Sequence, residues 1–395
     1  MTQWRTARLE DVAQVLGGGT PSRTEPNYFG GGIAWATPAD ITKLDRLYIS
    51  QTKETVSEEG LRNSSTKLMP AGAVLLTSRA TIGFTAISTV PICTNQGFIN
   101  FICGPHLVPE YLAYWLRTQR DKMIQHAGGT TFKEIARGTL RKFEIPFPPL
   151  PEQPRIVDLL SRAEGIVRLR REAEKKAAEL IPALFLDMFG DPATNPKGWP
   201  VATVGDVLDA ADYGSSSKAS SDSAGLPMIR MGNVTYAGSL DLADLKYVDL
   251  PAAEVERYSL REGDILFNRT NSKELVGKTG LWDGSCEAIV ASYFIRLRVQ
   301  REVLSPHYLW AFMNTGHMKR VIFDTARGAI GQSNINSKEL RAFSLPIPPL
   351  PLQQQFALRC SDVSALLIQQ SAATAKAQAT FDALLANIFD NRGTS

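Results

Sequence analysis

One stretch of this sequence occurs twice: Phe143–Gly190, FEIPFPPLPEQPRIVDLLSRAEGIVRLRREAEKKAAELIPALFLDMFG. Five prolines at its start, Pro146, Pro148, Pro149, Pro151 and Pro154, make an extended strap that runs straight into a long helical pattern. The second copy, FSLPIPPLPLQQQFALRCSDVSALLIQQSAATAKAQATFDALLANIFD, starts at Phe343. The two stay in step at an offset of 200, without a gap, from Phe143/Phe343 to Phe189/Phe389. A repeat this long is a duplicated domain-plus-helix, not an array of short repeats. The chain has to fold as two copies of one plan.

The intervening sequence agrees. Trp4 matches Trp199, LEDV at 9–12 matches VGDV at 204–207, and Gly19 matches Gly214, each at an offset of 195. AGAVLLTSRATIG (71–83) corresponds to EGDILFNRTNSKELVG (262–277), and PEYLAYWL to PHYLWAFM at 306–313. AGGTTFKEIARGTLRKF corresponds to ARGAIGQSNINSKELRAF, with Gly128 and Gly328 aligned. Val74–Thr77 and Ile99–Ile102 read as strands, and the stretch from Pro109 as a helix with proline near its start. The frame is shared while the polar loops differ, as expected of two similar scaffolds that read different targets. Four segments follow: a globular unit at 1–142, a strap and helix at 143–190, a second unit at 191–342, and a second strap and helix at 343–395.

In the first helix Ile156, Leu159, Ala163, Ile166, Arg170, Ala173, Ala177, Leu180 and Leu184 step by three and four residues. Phe356, Arg359, Val363, Leu366, Gln370, Ala373, Ala377, Thr380 and Leu384 do the same in the second. Both read as heptad seams with small residues in the middle turns. Pro182 is expected to kink or end the first helix, whereas Asp382 leaves the second intact. A helix of about 36 residues is ~54 Å long at 1.5 Å per residue. Two such helices can pair antiparallel, with a globular unit at each end and a pseudo-twofold axis between. That length suits readers set in successive major grooves, which recur every ~34–36 Å. The expected fold is α+β, two tandem mixed α/β domains separated by two long antiparallel coiled-coil helices.

The 395 residues suffice for two to three domains with their own cores, and 44% hydrophobic with 21% charged is ordinary globular composition. No long uncharged apolar run suggests a membrane span, and MTQWRTARLEDV does not resemble a signal peptide, so the cytoplasm is the expected location. Cys93, Cys103, Cys286 and Cys360 are scattered and read as reduced thiols. His106, His126, His307 and His317 form no metal-binding spacing, so no metal is expected. A net charge of +3 is modest for a chain that grips nucleic acid alone, so a partner is expected to share the electrostatic work.

Together, the paired PPLPEQ-like strap and helix, the GTPSR turn, LLTSRATIG, GDILFNRTNS and GTTFKEIARGTLRKFEIPFPPLPEQ resemble the specificity (HsdS) subunit of type I restriction-modification systems across essentially the whole chain. One departure is Leu352 where the first strap has Glu152. The resemblance implies two target-recognition domains, each reading half of a bipartite, asymmetric double-stranded DNA sequence. It implies that the helices act as a ruler and as the docking surface for two modification subunits, which carry S-adenosylmethionine and methylate adenine. Restriction subunits, with ATP and magnesium, would join the same complex. The chain itself would bind no cofactor and catalyse nothing. A type IIB-like system whose methylase partner also cuts, and a coiled-coil scaffold with two protein-binding heads and no DNA role, remain alternatives.

A direct search for chemistry agrees with a noncatalytic role. No Asp/Asn-Pro-Pro-aromatic signature for amino-methylation occurs, and Asn195-Pro196-Lys197 reads as a turn. Gly277-Lys278-Thr279 resembles the end of a phosphate-binding loop, but Ser272 stands where that loop needs glycine. Gly17-Gly18-Gly19 lacks the context of a dinucleotide site and reads as a flexible turn. Groove-reading side chains are expected among Arg, Lys, Asn, Gln, Ser and Thr on loops. The candidates are Arg23, Thr77, Ser78, Arg79, Thr130, Thr131 and Lys133 in the first unit. In the second they are Lys218, Arg230, Asn268, Arg269, Asn271, Lys273, Lys278, Gln332 and Asn334. Arg141 and Arg341, at equivalent positions beside the straps, suit either the helix base or a phosphate. For partner docking the charged face of the first helix offers Arg168, Arg171, Glu172, Lys175 and Lys176.

Overall fold

The computed structural model describes residues 4–129, 133–222, 224–329 and 332–390, with 327–329 as backbone only. Two compact units result, one of residues 1–173 with 371–395, the other of residues 174–370. Each takes in one globular stretch, the start of one long helix and the end of the other.

In the first unit a five-stranded sheet has the order Ala13–Gly17, Phe98–Cys103, Val74–Thr77, Thr85–Ser88, Tyr48–Ile49. A three-stranded sheet places Phe29–Ala36 between Glu54–Val56 and Ile92–Thr94. Val74–Thr77 is buried along its whole length, as its apolar run predicts. The helix Pro109–Thr118 has proline in its first turn and buries every residue from Tyr111 to Leu116, between that sheet and the long helices. The strap enters through Glu144–Phe147, paired antiparallel with Arg5–Arg8.

The second unit repeats the plan. A four-stranded sheet has the order Leu208–Tyr213, Phe294–Val299, Ile265–Asn268, Thr279–Leu281, and Leu226–Ile229 lies between Lys246–Val248 and Ile289–Val290. Its helix is Pro306–Met313 and its strap strand, Ser344–Pro346, pairs with Val201–Thr203. Gly18 and Gly214 donate to the carbonyls of Phe98 and Phe294, so these are the equivalent glycines, not Gly19 and Gly214. A bulge between Leu208 and Ala210 supplies the one-residue difference. The triple-glycine turn is pinned, not flexible: a Cβ on Gly18 would lie 1.9 Å from the Asn95 carbonyl oxygen.

One feature of the second unit has no counterpart in the first. Arg298 makes a bidentate pair with buried Asp264 (Nε–Oδ1 2.8 Å, NH2–Oδ2 3.1 Å). Buried Arg296 donates to the carbonyls of Arg257 and Ser259 and to Asp212. The register puts Asn100 at the place of Arg296.

The strap ends in a buried glutamine in both copies. The Gln153 side chain donates to the carbonyls of His106 (2.9 Å) and Pro148 (3.1 Å) and accepts from the Val108 amide (2.8 Å), which leads into the helix Pro109–Thr118. Gln353 repeats this with Val303, Pro348 and Ser305. Tyr111 and Tyr308 donate to the carbonyls of Pro146 and Pro346. Glu152 accepts from the Trp4 indole, whereas Trp199 donates to the Phe189 carbonyl, which frees Leu352 to pack on the second core.

The central helix runs Glu152–Ala178 and resumes as Leu180–Phe189, with Pro182 in the first turn of the second piece. The C-terminal helix, Leu350–Phe389, is unbroken. The expected interruption is therefore present, but the expected seam is one residue out of step in every second row. Leu159 and Ile166 are exposed, as are Arg359 and Thr380, while Gln153, Leu160 and Val167 are buried, as are Gln353, Cys360, Phe381 and Ile388. The buried rows step by four then three residues from Ile156 and Phe356. Small and amphipathic residues in the middle turns leave both phases plausible on paper, and the strap's glutamine decides between them by anchoring position 153.

Each unit is completed by the last turns of the helix that belongs in sequence to the other copy. In the first, Phe381, Leu385, Ile388 and Phe389 join Leu160, Val167, Tyr111 and Tyr114. Tyr111 and Phe389 lie 5.4 Å apart, centre to centre. In the second, Phe185, Phe189, Tyr308 and Phe356 form an aromatic knot with centres 4.8–5.9 Å apart. Each fully buried side chain of this kind contributes ~1.5–3 kcal/mol.

Candidate nucleic-acid interface

In each unit the loop that follows the central strand meets the loop that precedes the strap. In the first, the Ile135 amide donates to the Ser78 carbonyl (3.0 Å) and the Ala80 amide to the Lys133 carbonyl (3.0 Å). In the second, the Ile335 amide donates to the Arg269 carbonyl at 2.9 Å. A small sheet then forms from Thr270–Asn271, Gln332–Asn334 and Arg327–Ala329. These hydrogen bonds gather Arg79 and Lys133 on one frame, and Arg269, Asn271, Gln332 and Asn334 on its counterpart. Thr130 and Thr131 lie outside the described residues.

The side chains gathered there are differently committed. Arg79 Nε lies 3.7 Å from a Glu134 carboxylate oxygen, and Lys133 is exposed. Gln332 and Asn334 are exposed on their strand. Asn271 donates to Asn268 (2.8 Å) and accepts from the Ser272 amide (2.9 Å), so it shapes its own turn. Away from this frame, Arg23 makes a bidentate pair with Glu54 (2.7 and 2.8 Å) and stacks 4.5 Å from the Phe29 ring. The Glu54 pairing holds the Arg23 guanidinium above its usual range. Arg230 holds Asp244 at 3.3 Å, Lys218 is exposed, and Lys273 lies 4.4 Å from the Phe323 ring.

Four of the expected readers spend their polar atoms inside the fold. Thr77 is fully buried, donates to the Thr81 carbonyl and accepts from the Phe84 amide (3.0 Å). Ser78 is buried, and its backbone links Gly97 to Ile135. Asn268, fully buried, donates to the Tyr293 carbonyl at 3.2 Å. Lys278 is buried with its ammonium on the Met231 carbonyl, and desolvation lowers its pKa. Thr77 and Asn268 end strands that are buried on both faces, and Ser78 and Lys278 flank such strands. The sequence marks their polarity but not the direction in which they point. Gly277, at φ +81°, ends a turn packed on Ile322, Thr279 begins a strand, and the Lys278 ammonium between them is spent on the Met231 carbonyl.

Arg141 pairs with Glu10, in the short Leu9–Val12 turn, at 3.4 Å. On the central helix Arg168 pairs with Glu172 (3.0 Å) and Arg171 donates to Gln378 (2.8 Å), while Lys175 and Lys176 are exposed. Cys93 and Cys360 are buried, and Cys103 partly so, with burial raising their pKa values; only Cys286 is exposed. Among the described residues there is no group of three or more His, Cys, Asp or Glu side chains that would hold a metal, and no helix long and apolar enough to cross a membrane.

The family model for the type I restriction modification DNA specificity domain matches residues 1–179 and, a second time, residues 196–377. The chain belongs to that family. Among the specificity subunits it resembles is that of the type I restriction enzyme MjaIX of Methanocaldococcus jannaschii, 28% identical over 373 residues, covering 89% of this chain and 85% of the relative. The EcoKI specificity subunit of Escherichia coli is 24% identical over 330 residues, covering 78% of this chain and 70% of that one. The fold is shared with a chain from a structure of type I restriction-modification complex assembly, at TM-score 0.62 and 20% identity, covering 98% of this chain and 97% of the other.

Proposed function

We propose that the chain is the DNA-recognition subunit of a type I restriction-modification complex, each unit reading one half of a bipartite, asymmetric duplex target. The observation that carries this reading is the duplicated loop junction: one backbone frame, built twice, presents Arg79 and Lys133 in one copy and Arg269, Gln332 and Asn334 in the other. Identical framing with different polar contents is what two independent readers require, because base edges are told apart by donor and acceptor pattern. Away from that junction, Arg23, Lys218, Arg230 and Lys273 would hold phosphates.

In this reading the two long helices separate the half-sites by a nonspecific spacer and dock two modification subunits. Arg168, Arg171, Glu172, Lys175 and Lys176 would serve the docking. The modification subunits would bring S-adenosylmethionine and methylate adenine. Restriction subunits would bring ATP-dependent translocation and cleavage, with magnesium. The chain itself contributes specificity and no bond-making step.

Long-read methylation profiling of cells that carry the reconstituted modification complex tests this directly. The expected result is one bipartite motif methylated on adenine in both strands. Absence of any motif, together with no salt-sensitive binding of the complex to duplex DNA, refutes it.

A further inference from the structure

Arg23 and Arg230 donate to carboxylates, and Arg79 lies 3.7 Å from one. Arg269 faces a ring instead. Its guanidinium carbon lies 4.7 Å from the centre of the Tyr213 ring. A stacked guanidinium gives its flat face to the ring and keeps its in-plane donors for an acceptor. Its Nε is buried and makes no hydrogen bond among the described residues.

Both partners are fixed from behind. The Arg269 amide donates to the Tyr293 carbonyl and its own carbonyl accepts from the Ile335 amide, each at 2.9 Å. The Tyr213 hydroxyl accepts from the Ser337 amide at 3.2 Å, which ties the ring to the turn before the strap. Tyr213 is 43% exposed and Tyr293 41% exposed, so the junction opens to solvent through two rings. In the first unit both members of the pair are missing. Gly17 stands opposite Ile99 as Tyr213 stands opposite Ile295. Ser78 accepts from Ile135 as Arg269 accepts from Ile335.

We infer that Tyr213 is a positioning residue that holds Arg269 as the reader of a single guanine in the half-site of the second unit. This rests on the DNA-reading function proposed above. Two parallel N–H donors match the O6 and N7 acceptors of guanine in the major groove, and one such pair discriminates by ~1–3 kcal/mol, roughly 5- to 150-fold. Lysine, a point charge, keeps the attraction to phosphate but loses the fork.

The test is methylation profiling of a library of randomised targets by the reconstituted modification complex carrying wild-type, Arg269→Lys, Arg269→Gln, Tyr213→Phe or Tyr213→Ala chains. Exchange of residues 1–142 identifies which half-site belongs to the second unit. The expected result is a loss of guanine preference by about fivefold or more at one position of that half-site for both Arg269 variants, with the other half-site unchanged. Tyr213→Ala should relax the same position and Tyr213→Phe should keep most of the preference, a pattern that general destabilisation would not produce. An intact preference in both Arg269 variants, relaxation spread over both half-sites, or a second half-site without guanine overturns the inference while leaving DNA reading in place. A wild-type complex that methylates no motif overturns both.

Discussion

The glutamine at the end of each strap makes a sharp stability prediction. Gln153 is fully buried and makes three hydrogen bonds, all to backbone, that clamp the strap to the start of the helix Pro109–Thr118. Gln153→Ala strands the Val108 amide and the Pro148 carbonyl at ~1–3 kcal/mol each and leaves a small cavity. The loss should be about 3–4 kcal/mol. For a unit of this size each kcal/mol moves Tm by roughly 2–4 °C, so the transition of the first unit should fall by roughly 6–16 °C. Gln153→Met separates the two causes, since it fills the space without offering a donor or acceptor. Thermal unfolding followed by circular dichroism should find the Met variant almost as damaged as the Ala variant. A Met variant within about 0.5 kcal/mol of wild type would show that filling, and not hydrogen bonding, is what the glutamine supplies. Gln353→Ala should act equally on the second unit.

Asp264→Ala leaves Arg298 and buried Arg296 without their shared carboxylate, and breaking such a buried set costs ~3–5 kcal/mol; the second unit should then melt well below the first in calorimetry. Burial, with Lys278 nearby, lowers Lys319 from 10.5 to about 8. Folding then releases its proton between those values, so its penalty is complete below pH 8 and fades as pH rises toward 10.5. Melting temperatures of wild type and Lys319→Met across pH 7 to 10 should converge as pH rises; a constant gap would refute the assignment. Inserting one helical turn in both long helices, in register, should lengthen the nonspecific spacer of the methylated motif and leave its half-sites unchanged. Replacing residues 1–142 by a relative's equivalent should alter one half-site only, and alteration of both would exclude independent readers.

Much of the architecture was legible because it was written twice. The offset of 200, the strap, the helix with proline at its start and the interruption at Pro182 all rest on local rules that hold wherever the segment packs. The helix phase was not legible, since Leu159 and Leu160, or Ile166 and Val167, serve a heptad equally well until Gln153 fixes which side faces in. Among the candidate readers the sequence marked polarity and loop position. Burial was the missing coordinate: Thr77, Asn268 and Lys278 look like groove-facing polar residues and are interior struts. The signal for Tyr213 was weaker still, an aromatic at the end of a strand, meaningful only once Arg269 is found against it. The Asp264–Arg296–Arg298 set was missed for the same reason, its members being scattered over 35 residues and joined only by sheet register.

The shared ownership of helix ends sets the order in which the chain can be finished. The second unit is one continuous segment, residues 174–370, and every residue of its core has been made before the last helix is complete. The first unit cannot close until Phe381, Leu385 and Phe389 arrive, some two hundred residues after the Leu160 and Val167 they cover. During synthesis the earlier half therefore waits, with an apolar patch around Tyr111 and Tyr114 uncovered, for the later one. Loop closure over that distance grows only logarithmically with length, and a second unit already folded shortens the flexible path that remains. A ribosome stalled near residue 370 would release a molecule with one finished unit and one sticky, incomplete one.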